Sequence, residues 1–488
     1  MDPHALTPNV PGPYHSEYRG VFCRDEVSKF NDEMLFNPEK VRAAVRDSIF
    51  HGDQKLMDKH AHWMLTDDVL EEFFEDYLNP DGEHLEMMPK GARKYNIIVY
   101  GVSGYTGELT LEYITRTIPA GSIKFALAGR SAEKVKATKE KILDQHPYGY
   151  DPDIIQASLS NGHDLRRICL LADCVINVAG PFMKTGGQML VEACLEFGTD
   201  YVDVNGEIPY TYDLLKYHDA ALRSGTIIVP NAAFAGGAAD VAAGFACNAL
   251  REKYGVPTRT LRGYISASGV SAPSGGTLAT RATMAAAMRD VGSLMSNPFA
   301  LGGKIGATND KPRTEDLDKE LQLIHKDGDI NAWCGPFMYA FFETRVVRRS
   351  SVLQQQMIGH SYGPELNFQE FAVFPDEETA HMAQKASTSS AGQEEELKKA
   401  GKLYKPGEGP DAKDREGAWT EIMFLAKSSG DESIKVKLTA GDAYEETGHM
   451  AVEVALCLVL HRSELACKVS ETGNPSGFFI SRTDLWRA

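Results

Sequence analysis

A short β-branched run followed by evenly spaced glycines constrains this chain more than any other feature of its sequence. Residues 97–99 (Ile-Ile-Val) are typical of a strand that is buried on both faces of a parallel sheet. Gly101, Gly104 and Gly107 follow at intervals of three residues, and apolar residues then recur with helical spacing over residues 109–114. The stretch therefore predicts a strand that enters a helix through a glycine-rich turn, as in a Rossmann-like doubly wound parallel sheet.

A turn of this kind can bind a pyrophosphate. One glycine permits the tight turn, the next lets the backbone approach the phosphates, and the third lets the helix pack on the strand. The unpaired amides at the helix start add donors and partial positive charge. We therefore predict that six residues bind a cofactor: Gly101, Ser103, Gly104, Tyr105, Thr106 and Gly107. The alternative is a glycine-rich surface turn, because the spacing differs from the commoner Gly-x-Gly-x-x-Gly.

The second predicted strand suggests which dinucleotide is bound. An apolar run at residues 123–128 ends in Gly129-Arg130-Ser131, a little over 20 residues after the last glycine of the turn. An acidic residue at this point would bind a ribose 2′-hydroxyl, whereas an arginine suits a 2′-phosphate and can stack on adenine. We therefore expect Arg130 and Ser131 to bind NADP(H) rather than NAD(H). If the glycine interpretation fails, Arg130 is a solvated loop residue.

Strands and helices alternate from about residue 94 to residue 235, as an α/β fold requires. Ligands of such sheets lie beyond the carboxyl ends of the strands. Four more residues are therefore predicted to contact the cofactor: Asn177, Ala179, Gly180 and Pro181. Four others are candidate catalytic proton donors: Tyr201, Asp203, Glu207 and Asp240. The alternative for each candidate is a structural group that caps a helix or a turn.

The chain has 488 residues, which is long enough for more than one domain. We predict a helical N-terminal extension at 1–92 and an NADP-binding Rossmann domain at 93–240. An α+β substrate and dimerisation domain follows at 241–440, with a strand at 341–347 and a mobile loop at 376–416, where apolar periodicity is lost. Residues 441–488 are predicted to return to the Rossmann domain.

Composition excludes several classes of function. A formal net charge of −17 argues against nucleic-acid binding, which depends on Lys and Arg. The eight cysteines are scattered without a C-x-x-C pair, so we expect reduced core residues and no metal. No apolar run is long enough for a transmembrane span, and the first residues lack a signal peptide. A cytoplasmic location is expected; the alternatives are mitochondrial, or peripheral on a membrane or lipid surface.

Several ordered motifs resemble those of one family. They are Gly101-Val-Ser-Gly-Tyr-Thr-Gly107, Ala128-Gly-Arg130, Val178-Ala-Gly-Pro-Phe182, Tyr201-Val-Asp-Val-Asn-Gly-Glu207, Ser274-Gly-Gly-Thr277, Val347-Arg-Arg-Ser350, Pro406-Gly-Glu-Gly-Pro410 and Gly441-Asp-Ala-Tyr-Glu-Glu-Thr447. In these the chain resembles the saccharopine dehydrogenase-like oxidoreductases, which include trans-acting enoyl reductases. The resemblance implies a mixed-sheet second domain, a homodimer, and NADP(H)-dependent reduction of an enoyl or carbonyl/imine group in a hydrophobic or acyl substrate.

The chain departs from that family in two places. The family usually has Gly-Phe-Asp-Ser-x-Pro-x-Asp near residues 233–240, whereas this chain has alanine at Ala235 and Ala238 and keeps only the last acid, Asp240. Residues 1–92 fall outside the resemblance. These departures leave an alternative open: a cofactor-binding but catalytically inactive subunit or scaffold, joined to a larger protein assembly through residues 1–92.

Overall fold

The computed structural model describes residues 88–269, 271–303, 313–387, 390–465, 468–469 and 475–478. The described residues other than Asn161–Arg167 belong to one compact unit. Nearly all of the predicted helical extension at 1–92 lies outside the described residues.

The first sheet has eight strands in the order β13-β14-β6-β5-β4-β1-β2-β3. The strands are β1 (Tyr95–Tyr100), β2 (Phe125–Gly129), β3 (Asp153–Gln156), β4 (Ala172–Asn177), β5 (Asp200–Asp203), β6 (Ile227–Val229), β13 (Lys468–Val469) and β14 (Pro475–Phe478). Strands β1 to β6 pair in parallel, and β14 adds in parallel to β6. The order 3-2-1-4-5-6 confirms the predicted doubly wound sheet, with its topological switch point between β1 and β4.

Helices connect these strands on both faces of the sheet. They are α1 (Tyr105–Thr117), α2 (Ala132–Gln145), α3 (Gly162–Leu171), α4 (Phe182–Thr185), α5 (Gly187–Phe197), α6 (Ile208–Leu214) and α7 (His218–Ser224). Strand β1 is buried along most of its length, and α1 turns Leu111 and Ile114 toward the same core. The β-branched and aliphatic residues recognised in the sequence thus bury both faces of the central strands, which stabilises the sheet by excluding water.

A second, six-stranded sheet follows in the order β12-β11-β7-β10-β9-β8. Its strands are β7 (Thr260–Ser268), β8 (His325–Asp327), β9 (Ala332–Gly335), β10 (Asn367–Phe374), β11 (Trp419–Lys427) and β12 (Ser433–Ala440). Strands β7 and β10 are parallel and the other pairs are antiparallel, so the sheet is mixed, as the family resemblance implied. Three helices accompany it: α8 (Ala239–Tyr254), α9 (Gly275–Met295) and α10 (Ala340–Ile358).

The prediction of a strand at 341–347 is wrong, because these residues lie in helix α10. Aromatic and β-branched residues at 341–347 favour a strand locally. However, Phe342, Val346, Ser350 and Leu353 are all buried at intervals of three or four residues, which places them on one face of a helix. Tertiary burial of that face overrides the local preference.

The loop predicted at 376–416 also needs correction. The segment contains helices α11 (Glu377–Ser387), α12 (Ser390–Lys399) and α13 (Ala412–Arg415). The first two are rich in Ala, Glu, Gln and Lys, which favour helix by intrinsic propensity even without an apolar stripe. The search for apolar periodicity therefore missed them. The mobility of this segment stays a prediction.

Helix α14 (Ala443–Leu460) packs against the first sheet. Ala451, Val452, Val454 and Ala455 join the core cluster that contains β1 and α1. Of the helices that can be described, none is long and apolar enough to cross a bilayer. None of the six cysteines within the described ranges forms a disulfide, and five of them are buried.

Candidate active site

The glycine turn between β1 and α1 is shaped by close backbone contacts. Gly101 has a φ of 97°, and a Cβ there would lie 3.0 Å from the backbone nitrogen and the Cβ of Ala179. A Cβ on Gly107 would lie only 2.3 Å from the carbonyl oxygen of Gly101 and 2.6 Å from Cα of Val102. Both positions therefore require glycine, one for its positive φ and the other for the approach of helix to strand.

The start of α1 is open toward a cavity. Gly104 is the N-cap residue, and no side chain caps the helix. Five residues of the turn line the cavity: Gly101, Ser103, Gly104, Tyr105 and Thr106. The first-turn amides lack intrahelical acceptors, and with the helix dipole they present donors and partial positive charge at this wall. The corner therefore fits the pyrophosphate of a dinucleotide.

The end of β2 supplies cationic groups to the same cavity. Arg130 is exposed and lines the cavity together with Ser131. The Ser131 hydroxyl accepts a hydrogen bond from the Lys134 amide at 3.3 Å and so caps α2. Lys134 also lines the cavity, and the sequence analysis missed it because it lies inside a helix of ordinary polar pattern. Two cations beside a helix start suit a phosphate monoester.

The other predicted cofactor residues lie after β4. Ala179 and Gly180 line the cavity. Asn177 is buried behind them: its Oδ1 accepts the amide of Ala179 at 3.1 Å. Pro181 precedes α4, where its carbonyl accepts the amides of Lys184 and Thr185. Asn177 and Pro181 thus hold the shape of the loop whose residues 179 and 180 face the cavity.

Motifs from distant parts of the chain complete the wall. The amide of Gly275 donates to the carbonyl of Glu408 at 2.9 Å, and a Cβ on Gly409 would lie 2.6 Å from the ring of Tyr105. The Arg415 guanidinium donates to the Tyr105 hydroxyl at 3.2 Å. The family-like motifs at 274–277, 406–410 and 441–447 therefore meet around the glycine turn.

The cavity has a volume of about 1720 Å³ and extends from the glycine turn into an apolar cleft. That cleft is lined by Met284, Met288, Met295, Phe337, Met338, Phe341, Phe374, Trp419 and Ile422. Apolar side chains at a cavity wall retain exposed surface that a hydrophobic ligand would cover. The site thus combines a polar dinucleotide corner with space for an apolar molecule.

Tyr201 and Asp203, two of the four predicted proton donors, are fully buried. The Tyr201 hydroxyl accepts from Nδ2 of Asn177 at 3.1 Å. Oδ1 of Asp203 accepts from the amides of Asn205 and Asn231 at 3.0 and 3.1 Å. Burial raises the pKa of Asp203 to about 6, against the lowering effect of these amide donors. Tyr201 thus bonds to the end of β4, whereas Asp203 holds the loops after β5 and β6.

Glu207 and Asp240 are also 0% exposed, although Glu207 lies at the cavity wall. The two carboxylate oxygens of Glu207 accept the amides of Phe182 and Met183, each at 2.8 Å. Burial raises the pKa of Glu207, and these donors oppose the shift. Oδ2 of Asp240 accepts from the Ser350 hydroxyl at 2.7 Å and so links α8 to α10. Glu207 is therefore the member of the predicted set that lies at the cavity, but its buried oxygens fix helix α4.

We expect Tyr201→Phe to lower the free energy of unfolding by about 1 kcal/mol, because a buried hydrogen bond is lost while the ring remains. Dinucleotide affinity should not change, since the hydroxyl is 0% exposed. Urea denaturation and cofactor fluorescence titration measure the two effects separately. A large loss of affinity without loss of stability would contradict this structural role.

Two acidic residues that the sequence analysis did not select lie together beside the cavity. Glu343 of α10 lines the cavity and is 3% exposed, and Glu370 of β10 is fully buried. Oε1 of Glu343 accepts the amide of Gly236 at 3.1 Å. The sequence offered one signal for Glu370: it is an acid within the otherwise largely apolar strand Asn-Phe-Gln-Glu-Phe-Ala-Val-Phe.

A second cluster, in the β8–β9 hairpin, has potential metal-ligand atoms. Atoms of His325, Asp327 and Cys334 lie within 4.8 Å of one another. Asp327 accepts the Tyr264 hydroxyl at 3.0 Å and the amide of Asp329 at 2.8 Å. These hydrogen bonds give Asp327 a structural role in the hairpin turn, which explains the cluster without a metal.

The parallel sheet, the uncapped helix start and the cavity at the switch point define a dinucleotide-binding α/β protein. Residues 97–229 match the family model described as "Saccharopine dehydrogenase NADP binding domain". The resemblance to the saccharopine dehydrogenase-like oxidoreductases is confirmed over residues 97–229, and this match supports a nicotinamide cofactor.

Similar proteins extend the match beyond this domain. The trans-acting enoyl reductase of Mycobacterium tuberculosis (strain ATCC 25618 / H37Rv) is 26% identical over 398 residues, covering 78% of this chain and 92% of the relative. That of Mycobacterium ulcerans (strain Agy99) is 26% identical over 407 residues, with the same coverage. Among solved structures, the saccharopine dehydrogenase (L-Glu forming) of Saccharomyces cerevisiae covers 80% of this chain and 95% of its own, at 11% identity and a TM-score of 0.43.

Proposed function

We propose that this protein is an NADP(H)-dependent reductase that acts on an enoyl or carbonyl/imine group of a hydrophobic or acyl substrate. The continuous cavity carries the proposal, because it joins the dinucleotide corner to the apolar cleft within one space. A reductase needs the nicotinamide and the acceptor carbon in contact, away from bulk water. The relatives are named trans-acting enoyl reductases, which agrees with an acyl substrate.

The residues present fit the cofactor. The amides of the α1 first turn and Gly101 would hold the pyrophosphate, and Arg130 with Lys134 would bind the 2′-phosphate. When bound, the cofactor supplies a hydride to the substrate. The chain's own tasks are to orient the acceptor group, exclude water and provide a proton.

The cleft walls indicate the chemistry of the substrate. Met288, Met338 and Trp419 are 46%, 52% and 46% exposed, which is unusual for residues of this size and polarity. An acyl chain lying on them would remove this apolar surface from water. Flexible methionine side chains adapt to chains of different shape.

The alternative function is a cofactor-binding subunit or scaffold without activity. Ala235 lines the cavity where the family usually carries an acid, so one carboxylate is absent from the wall. A scaffold would bind NADPH and consume none.

Two measurements separate these functions. A fluorescence titration with NADPH tests binding, and NADPH consumption against a panel of enoyl and keto thioesters of increasing chain length tests turnover. The reductase proposal expects binding together with consumption that improves as the acyl chain lengthens. Binding without consumption across the panel would support the scaffold, and no binding would reject both.

Arg130→Gln should weaken NADPH binding by about 10- to 100-fold while leaving NADH binding unchanged, because a charge-assisted hydrogen bond to the 2′-phosphate contributes roughly 1.5–3 kcal/mol. Competitive fluorescence titration with both cofactors measures the ratio. Arg116→Gln, at an exposed arginine paired with Glu112, is the matched control and should change neither affinity. An equal loss for NADPH and NADH would contradict the role of Arg130.

Homodimerisation, assembly through residues 1–92 and the cytoplasmic location stay predictions.

A further inference from the structure

The Glu343–Glu370 pair is enclosed by the second domain at the edge of the cavity. Glu370 stands on β10 in register with Gly263 of the parallel strand β7. A Cβ on Gly263 would lie 2.8 Å from Cγ of Glu370 and 3.1 Å from its Oε1, so the glycine makes room for the acid. Glu343 lines the cavity, as do Phe234 and Ala235, which precede the Gly236 amide bound to Glu343. One acid thus faces the ligand space and the other lies behind it.

Neither carboxyl has an ion-pair partner among the residues whose positions are described. Arg348 lowers the pKa of Glu370 through its charge, but its guanidinium donates to the carbonyls of Pro298 at 2.7 Å and Phe368 at 3.3 Å. On the cavity side, Tyr339 interacts with Glu343 and with Arg281.

Oε2 of Glu343 and both carboxyl oxygens of Glu370 are buried without a hydrogen-bond partner among the described residues, so their ionised forms are costly. Burial raises the pKa of Glu343 to about 7, against the lowering effects of the Gly236 amide and of Glu370. Burial and the negative charge of Glu343 raise the pKa of Glu370 well above its ordinary value, against the lowering effect of Arg348. Two carboxyls in one apolar site cannot both ionise at low cost, so the pair titrates as a unit and retains one proton near neutral pH.

We propose that Glu343 is the proton donor of the reduction, because it is the member of the buried acidic pair that lines the cavity. The inference rests on the proposed reductase function. Hydride addition at the β-carbon of an enoyl substrate moves the C=C electron pair onto the enolate. The O–H bond of Glu343 then breaks, its proton forms the new C–H bond at the α-carbon, and the electron pair stays on the carboxylate. Water returns a proton to the pair.

Glu343→Gln tests the donor with little change of shape. The amide oxygen can still accept the Gly236 amide, and its NH₂ group can donate to Glu370. We expect unchanged NADPH affinity by fluorescence titration and a fall in turnover of about 10²–10⁴-fold, the usual contribution of general acid catalysis. Glu365→Gln, at a glutamate whose side chain is 73% exposed, is the matched control and should keep full activity.

Infrared difference spectroscopy on the cofactor-free protein gives a readout apart from activity. The wild type should show the C=O band of a protonated carboxyl that is lost as pH rises past about 7, and Glu343→Gln should lack that titrating band. An unchanged spectrum, or full turnover by Glu343→Gln, would overturn this inference while leaving the reductase proposal intact. A wild type that binds no NADPH or reduces no thioester would overturn both.

Discussion

Gly107→Ala should lower the free energy of unfolding by about 3 kcal/mol and abolish NADPH binding. The added methyl group would lie 2.3 Å from the Gly101 carbonyl oxygen and 2.6 Å from Cα of Val102. Both are backbone atoms of the turn, so helix α1 must move away from β1, and overpacking of this kind costs about 1–3 kcal/mol. The movement displaces the first-turn amides from the pyrophosphate site. Urea denaturation and NADPH titration measure the two effects.

Gly292→Ala is the matched control for this substitution. Gly292 lies in helix α9, and a Cβ there would meet nothing within 4 Å. Replacing a helical glycine by alanine in open space should stabilise the protein by roughly 0.5–1 kcal/mol. The same chemical change should thus have opposite signs at the two sites. A stable, NADPH-binding Gly107→Ala protein would contradict the geometry described for the turn.

Stability should fall as pH rises through neutrality, and the Glu343–Glu370 pair should cause a large part of that fall. The pKa of Glu343 is raised from 4.5 in the unfolded chain to about 7 in the folded protein, chiefly by burial. Between these values the folded state binds more protons, so its contribution is complete below pH 4.5 and is lost as pH passes about 7. The difference corresponds to roughly 3 kcal/mol.

Urea denaturation of the wild type and Glu343→Gln over pH 5–8 measures this contribution, because carboxylates elsewhere affect both proteins equally. The variant should become more stable relative to the wild type as pH rises, since glutamine never ionises. Parallel stability curves for the two proteins would show that Glu343 is not protonated in the folded state.

Local signals were sufficient to predict the first sheet. Its strands are continuous apolar runs, and the turn after β1 depends on glycines that no other residue can replace. The exceptions are β3, β13 and β14, which were not predicted. At β3, on the sheet edge, only Ile155 is buried and the pattern resembles a loop. Short edge strands are stabilised by one neighbour, so their sequences carry little information.

The acidic pair could not be predicted in the same way. Glu343 and Glu370 lie on a helix and a strand that tertiary packing brings together, and the helix itself was predicted as a strand. Tyr201, Asp203 and Asp240 were predicted as donors because they lie at or after the end of a strand. That position brings the backbone near the cleft but does not determine whether the side chain faces the cavity or the core. The direction of the side chain depends on the packing of the whole fold.

The hydrogen bonds of the Tyr105 side chain have a consequence for biosynthesis. Its hydroxyl is hydrogen-bonded to the carbonyl of Pro410 at 2.8 Å and to Arg415, partners more than 300 positions later in the chain. While the polypeptide emerges from the ribosome, the parallel strands can pair long before residue 410 has been translated. The nucleotide corner therefore stays unfinished until late in synthesis, and nascent chains lacking the last quarter should be unable to retain the cofactor.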